Sequence, residues 1–130
     1  MQARFSWLLS LVALAPFGWG QQVGDDHAAE MAAGVQLFKE TVRPVFVEEC
    51  LYCHGGGKVK GDFDLSFRER LLEEGLDGPR VAPGDPENSW LLKLVRHEEV
   101  PHMPAKSDKL ADEDIQAIEE WIRLGAPYGR

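Results

Sequence analysis

From Ala33 onward the apolar positions recur at threes and fours: Val35, Phe38, Val42, Val45 and Phe46 fall on one side of a helical period. This predicts an amphipathic helix. Pro44 sits inside the pattern, and proline is tolerated best in a first helical turn, so a break is expected near residues 41–43 with a second helix from Pro44 through Cys50. Upstream, residues 21–32 are small and polar and read as a flexible lead-in. Phe63 and Leu65 alternate with polar residues, and Ser66 to Leu72 reads as a short helix capped by Ser66 and stopped by Gly75. Between Gly78 and Pro86, three prolines and two glycines argue against regular structure. Ser89 then caps an apolar helix carrying Trp90, Leu91, Leu92, Leu94 and Val95. Two prolines end it around His102 and Met103. The last helix has Ile115, Ile118, Trp121 and Ile122 on one stripe, acids in its first turn, Arg123 near its end, and Gly125 with Pro127 beyond. That stripe should cross the N-terminal helix near Gly34 and Phe38, or near Phe46. The pattern is that of an all-α chain.

The N-terminus changes the picture of how much of the chain folds. Met1 to Gly20 carries one basic residue, Arg4, and an apolar run from Phe5 to Phe17 broken only by two serines and Pro16. It reads as a secretory signal peptide, its apolar core shorter than the ~20 residues that a membrane span requires. Cleavage after Gly20 would leave glycines at the two positions a signal peptidase inspects. No cysteine lies nearby to carry a lipid. The expected organisation is therefore a leader at 1–20, a lead-in at 21–32 and one small domain at 33–130, periplasmic or secreted, with no membrane insertion of the mature chain.

Fourteen basic and 22 acidic residues give a formal charge of −8, and removing Arg4 with the leader makes the mature chain more negative still. An acidic surface argues against nucleic acid and anionic membranes, and suits a basic or neutral protein partner. No acid, base and nucleophile constellation suggests bond-making catalysis, so the chain does not read as an enzyme.

The chemistry is concentrated in Cys50-Leu51-Tyr52-Cys53-His54, which holds both cysteines of the chain and precedes Gly55-Gly56-Gly57. A Cys-x-x-Cys-His run is the attachment signature of c-type haem. One helical turn sets both sulfurs along one porphyrin edge and brings the imidazole to the ring face. The competitors fit less of the motif. A disulfide would close a tiny loop and leave His54 unexplained; a redox pair normally follows a strand; a zinc site lacks a second cysteine pair. The residues thus imply one covalent haem c, with Cys50 and Cys53 as attachment points and His54 as one axial ligand.

A second axial ligand must come from elsewhere. Of three methionines, Met1 opens the leader and Met31 precedes the motif, leaving Met103, pressed into an extended segment by its prolines. His102, His97 and an open position are the alternatives at this stage. A proline carbonyl, Pro79 by preference, could accept the outer N–H of His54 and fix its tautomer. Phe46, one turn before Cys50, should pack at the haem edge or against the last helix.

The segments VRPVFVEECLYCHGG, KGDFDLSFRERLLEEG, GPRVAPGDPENSWLLKLV, the Met103-Pro104 pair and KLADEDIQAIEEWIRLGAPY together resemble a Planctomycete-type cytochrome c domain, a branch of the class I cytochrome c fold. Ala105 departs from the family, which commonly carries a second proline there. The resemblance covers most of the mature chain. It implies a small helical fold around one covalent haem, with His54 and Met103 as its axial ligands. It also implies single-electron transfer between redox proteins, with service as the electron-transfer subunit of a dehydrogenase as a variant. A haem protein with an exchangeable sixth ligand, acting as a sensor or peroxidase-like protein, is the alternative.

Overall fold

The computed structural model describes residues 19–129. All but the last two residues of the expected leader lie outside this range. Helix α1 (Trp19–Leu37) runs straight through the residues read as a flexible lead-in. Alanine is the strongest helix former, and Ala28, Ala29, Ala32 and Ala33 let the helix propagate where 24–30 are all exposed.

The expected break at Pro44 is also absent. Helical backbone continues through a π-helical segment (Phe38–Val42), the single turn α2 (Arg43–Val45), a second π-helical segment (Phe46–Cys50) and α3 (Leu51–His54). Leu37, Val42, Val45 and Cys50, at the junctions, all keep right-handed helical angles. The rod therefore carries the cysteine motif at its end. An α-helical turn around a proline loses a donor and sets the ring against the carbonyl four residues back. Here the Arg43 N–H reaches back to Phe38 O and the Leu51 N–H to Phe46 O, five residues each, and this wider turn carries the ladder past Pro44.

The last helix, α6 (Asp112–Arg123), buries Ile115, Ile118, Trp121 and Ile122, the stripe expected from the sequence. It crosses the rod at both anticipated places. Trp121 stacks on Phe38 with centroids 5.7 Å apart and meets Phe46 edge-on at 5.6 Å. Gly34 meets the residues just after α6. A Cβ there would stand 2.7 Å from Cγ of the Pro127 ring and 3.1 Å from Leu124 Cβ, neither able to swing away. Gly34→Ala is accordingly expected to cost about 1–3 kcal/mol, read as a fall in thermal midpoint of several degrees.

Between these helices the chain makes short elements. β1 (Lys58–Val59) turns back so that Val59 bridges His54 antiparallel. Gly56 and Gly57 make that reversal with φ of 59° and 83°. α4 (Arg68–Leu71) starts at Phe67 without a side-chain cap, and Ser66 instead accepts a hydrogen bond from the Gly56 N–H. Arg68 ties α4 to the end of α6, donating to the carbonyls of Ala126 and Gly125 at 2.8 and 3.0 Å. β2 (Glu74–Gly75) and β3 (Gly78–Pro79) form a small antiparallel hairpin whose second strand opens the segment expected to be irregular. A proline is tolerated there because the pair is only two residues long.

Helix α5 (Trp90–Val95) buries Leu91, Leu92, Leu94 and Val95. Ser89 precedes it, but its hydroxyl makes no cap. It accepts from the Ala82 N–H and donates to the Asp85 carbonyl, both at 2.9 Å, and so pins the proline-rich loop.

Candidate functional site

The rod's end, the β2–β3 hairpin, α5 and the segment after it surround a cavity of about 540 Å³. His54 and Met103 both line it, although they lie at opposite ends of the site in sequence. Phe63, Trp90, Leu91 and Leu94 supply apolar wall, and Lys60, Asp62, Glu74, Asp77 and Arg80 supply charge.

His54 is the last residue of α3 and is half-buried. Its Nδ1 lies 3.0 Å from the carbonyl oxygen of Phe63. A carbonyl only accepts, so Nδ1 carries the proton and the Nε2 lone pair is left for an electrophile such as a metal ion. The Phe63 ring also packs edge-on against the imidazole at 5.5 Å. Leu65, two residues on, donates its N–H to the His54 carbonyl at 2.8 Å. The returning segment thus holds His54 by its ring at Phe63 and by its backbone at Leu65. This corrects the expectation for Pro79, which is not a partner of His54. Pro79 is held in β3 opposite Glu74 and does not line the cavity.

Met103 is half-buried and its backbone is gripped at both ends. Its N–H donates to Leu94 O at 3.2 Å, and its carbonyl accepts from His97 Nε2 at 3.1 Å. His97 in turn stacks face to face on His102, with centroids 4.4 Å apart and planes 7° from parallel. Neither histidine lines the cavity. Ser107, just beyond, donates to Glu49 Oε2 at 2.7 Å and joins this segment to the turn before the cysteine motif.

Cys50 and Cys53 are both free thiols and half-buried. Burial, helped by the charge of Glu49, pushes the Cys50 thiol up to about 12. Cys50 also packs against the core cluster that includes Phe46 and Trp121, so Phe46 is held by the last helix, one of its two expected neighbours.

The site fits a haem on its donor set. An imidazole with a fixed tautomer and a thioether share one cavity, a thiol pair stands one turn from the imidazole, and apolar side chains line much of the wall. The sequence missed two residues of this site. Phe63 acts through its backbone carbonyl, and its only signal was the alternation with Leu65, which shows that a strand-like segment follows the glycines. Arg80 is buried yet stands among glycines and prolines, where an arginine reads as surface.

A mostly helical domain with this turn and this cavity resembles the c-type cytochromes. Residues 50–107 match the model of the family described as Planctomycete cytochrome C. The chain is also similar to "Cytochrome c6, chloroplastic" of Chlamydomonas reinhardtii, with 30% identity over 95 residues, 73% of this chain and 54% of that protein. It thus spans about half the length of that relative. No solved structure matches it.

Proposed function

We propose that the protein is an exported, monohaem c-type cytochrome that passes single electrons between redox proteins. Haem c is attached through Cys50 and Cys53, and its iron is ligated by His54 and Met103. One observation carries this reading: His54 and Met103 line the same cavity, each with its position set by backbone hydrogen bonds, while His97 and His102 stack on each other outside it. When bound, haem c supplies one-electron Fe(II)/Fe(III) chemistry.

The chain's own residues account for the rest. The Phe63 carbonyl holds the proton of His54 at Nδ1, which aims Nε2 and makes the imidazole a stronger donor. His97 donates to the Met103 carbonyl and fixes the segment that delivers the thioether. Phe63, Leu91 and Leu94 exclude water from the cavity, which favours the less charged ferrous state. Among the described residues no helix is long and apolar enough to cross a membrane. Export would rest on a leader at 1–20, ahead of a folded domain at 33–130. Redox proteins with basic or neutral docking surfaces are the partners the acidic charge suits.

Attachment is tested by denaturing the protein, expressed with a haem-maturation system, in acid and acetone. The haem should stay with the chain. The Cys50→Ala, Cys53→Ala double variant should release it. Complete extraction from the unaltered protein would end the proposal.

A further inference from the structure

Two histidines stand beside the segment that carries Met103, and neither lines the cavity. Pro101 and Met103 both line it, whereas His102 between them does not and is exposed. A roll of this segment by one residue would therefore exchange a thioether for an imidazole. Chemistry favours that exchange in the ferric state, because an imidazole nitrogen suits ferric iron better than a thioether does. Some feature of the fold has to hold the stronger donor away.

One ring does both jobs. His97 turns its edge to Met103 and its face to His102. Its Nε2–H donates to the Met103 carbonyl at 3.1 Å, while its plane lies 7° from that of His102 with centroids 4.4 Å apart. Among the described residues the His102 ring makes no hydrogen bond or ion pair, so the stack is what orients it. The backbone reinforces this arrangement. The Leu94 carbonyl accepts from the N–H groups of both His97 and Met103, each at 3.2 Å. His97 has a φ of 63°, a left-handed conformation that a histidine enters at a cost. That strain falls where the chain doubles back after α5 to bring residues 97 and 103 to one carbonyl.

We infer that His97 is a positioning residue that selects the sixth ligand of the iron, seating Met103 and withholding His102. This rests on the haem reading above and adds to it a latent second donor. Without His97, His102 should displace Met103. In that exchange the iron–sulfur bond breaks, an iron–nitrogen bond from His102 forms, and no electron or proton is transferred.

The test compares wild-type holoprotein with His97→Gly, which takes up the positive φ without strain. Ferric His97→Gly should lose the far-red methionine absorption yet stay low-spin, with the electron paramagnetic resonance of two imidazoles, and its ferrous form should not bind carbon monoxide rapidly. At a fixed ambient potential its ferrous-to-ferric ratio should fall roughly tenfold, about 59 mV for a one-electron couple. Adding His102→Gln should return the methionine band, since the competitor is gone, and His102→Gln alone should leave the wild-type spectrum unchanged. His97→Asn, which also tolerates a positive φ, should behave as His97→Gly and covers a failure of that variant to fold. Far-red absorption retained in both His97 variants overturns the inference. A high-spin variant that binds carbon monoxide rapidly overturns it equally, because His102 would then not have taken the position. In each of these cases haem stays with the chain in acid and acetone, whereas its extraction would bring down the haem reading itself and this inference with it.

Discussion

Replacing Met103 with alanine is expected to abolish the weak far-red absorption of ferric protein that reports a methionine sulfur on iron. The ferrous form should then bind carbon monoxide rapidly, which the wild type should not. The potential should fall by on the order of 0.1 V, since axial ligands together command about 0.8 V. The effect should be large because little else can take over. His97 is committed to the Met103 carbonyl and His102 is stacked upon it, so neither imidazole is aimed at the cavity. The backbone around position 103 should survive the change, because its N–H and carbonyl are held by Leu94 and His97 independently of the side chain. A wild type without the far-red band and with rapid carbon monoxide binding would instead favour an exchangeable sixth ligand. Unchanged spectra in the variant would remove Met103 from the iron altogether.

Helix phase was legible in the sequence because burial imposes it. Ile115, Ile118, Trp121 and Ile122 stand at threes and fours only if one face is dry, and that face is the one the rod covers. Helix boundaries were less legible, since they follow from local choices that the rest of the fold overrides. Pro44 by itself predicts a break, but Phe38, Val42, Val45 and Phe46 on both sides of it are all buried in one core. Keeping that face continuous outweighs the local cost, and the wider turns accommodate the ring. Ser66 and Ser89 look like caps by composition, but each hydroxyl found a partner across a loop, which no local rule anticipates.

The site divided along a similar line. The residues proposed to carry the chemistry through their side chains, Cys50, Cys53, His54 and Met103, can be read from type and spacing. The carbonyl on His54 could not, because every residue carries one and only the path of the chain selects Phe63 over Pro79. Arg80 was hidden for the opposite reason. Its chemistry was plain, but its burial is set by Leu91 and the hairpin, both remote from the motif.

Trp121→Ala should remove much of what keeps the rod and the last helix together. Trp121 is fully buried, touching Phe38, Phe46 and Tyr128 at centroid distances of 5.7, 5.6 and 5.9 Å, and its Nε1–H donates to Pro127 O at 2.8 Å. Truncating a core tryptophan costs about 3–5 kcal/mol, against a total of about 5–15 kcal/mol for a domain of this kind. Most of the stability could vanish in one substitution. Trp121→Phe should cost less, about 1–3 kcal/mol, because the ring largely survives and the main loss is the donor to a buried carbonyl. Denaturant unfolding followed by far-ultraviolet circular dichroism would measure both. The consequence for the site follows from Phe46, which packs on Trp121 and stands one turn before Cys50. Loosening that contact should destabilise the turn that presents the thiols and the imidazole, so the alanine variant should also accumulate less haem-loaded protein. A loss below about 1 kcal/mol would mean that the core is not centred on this residue.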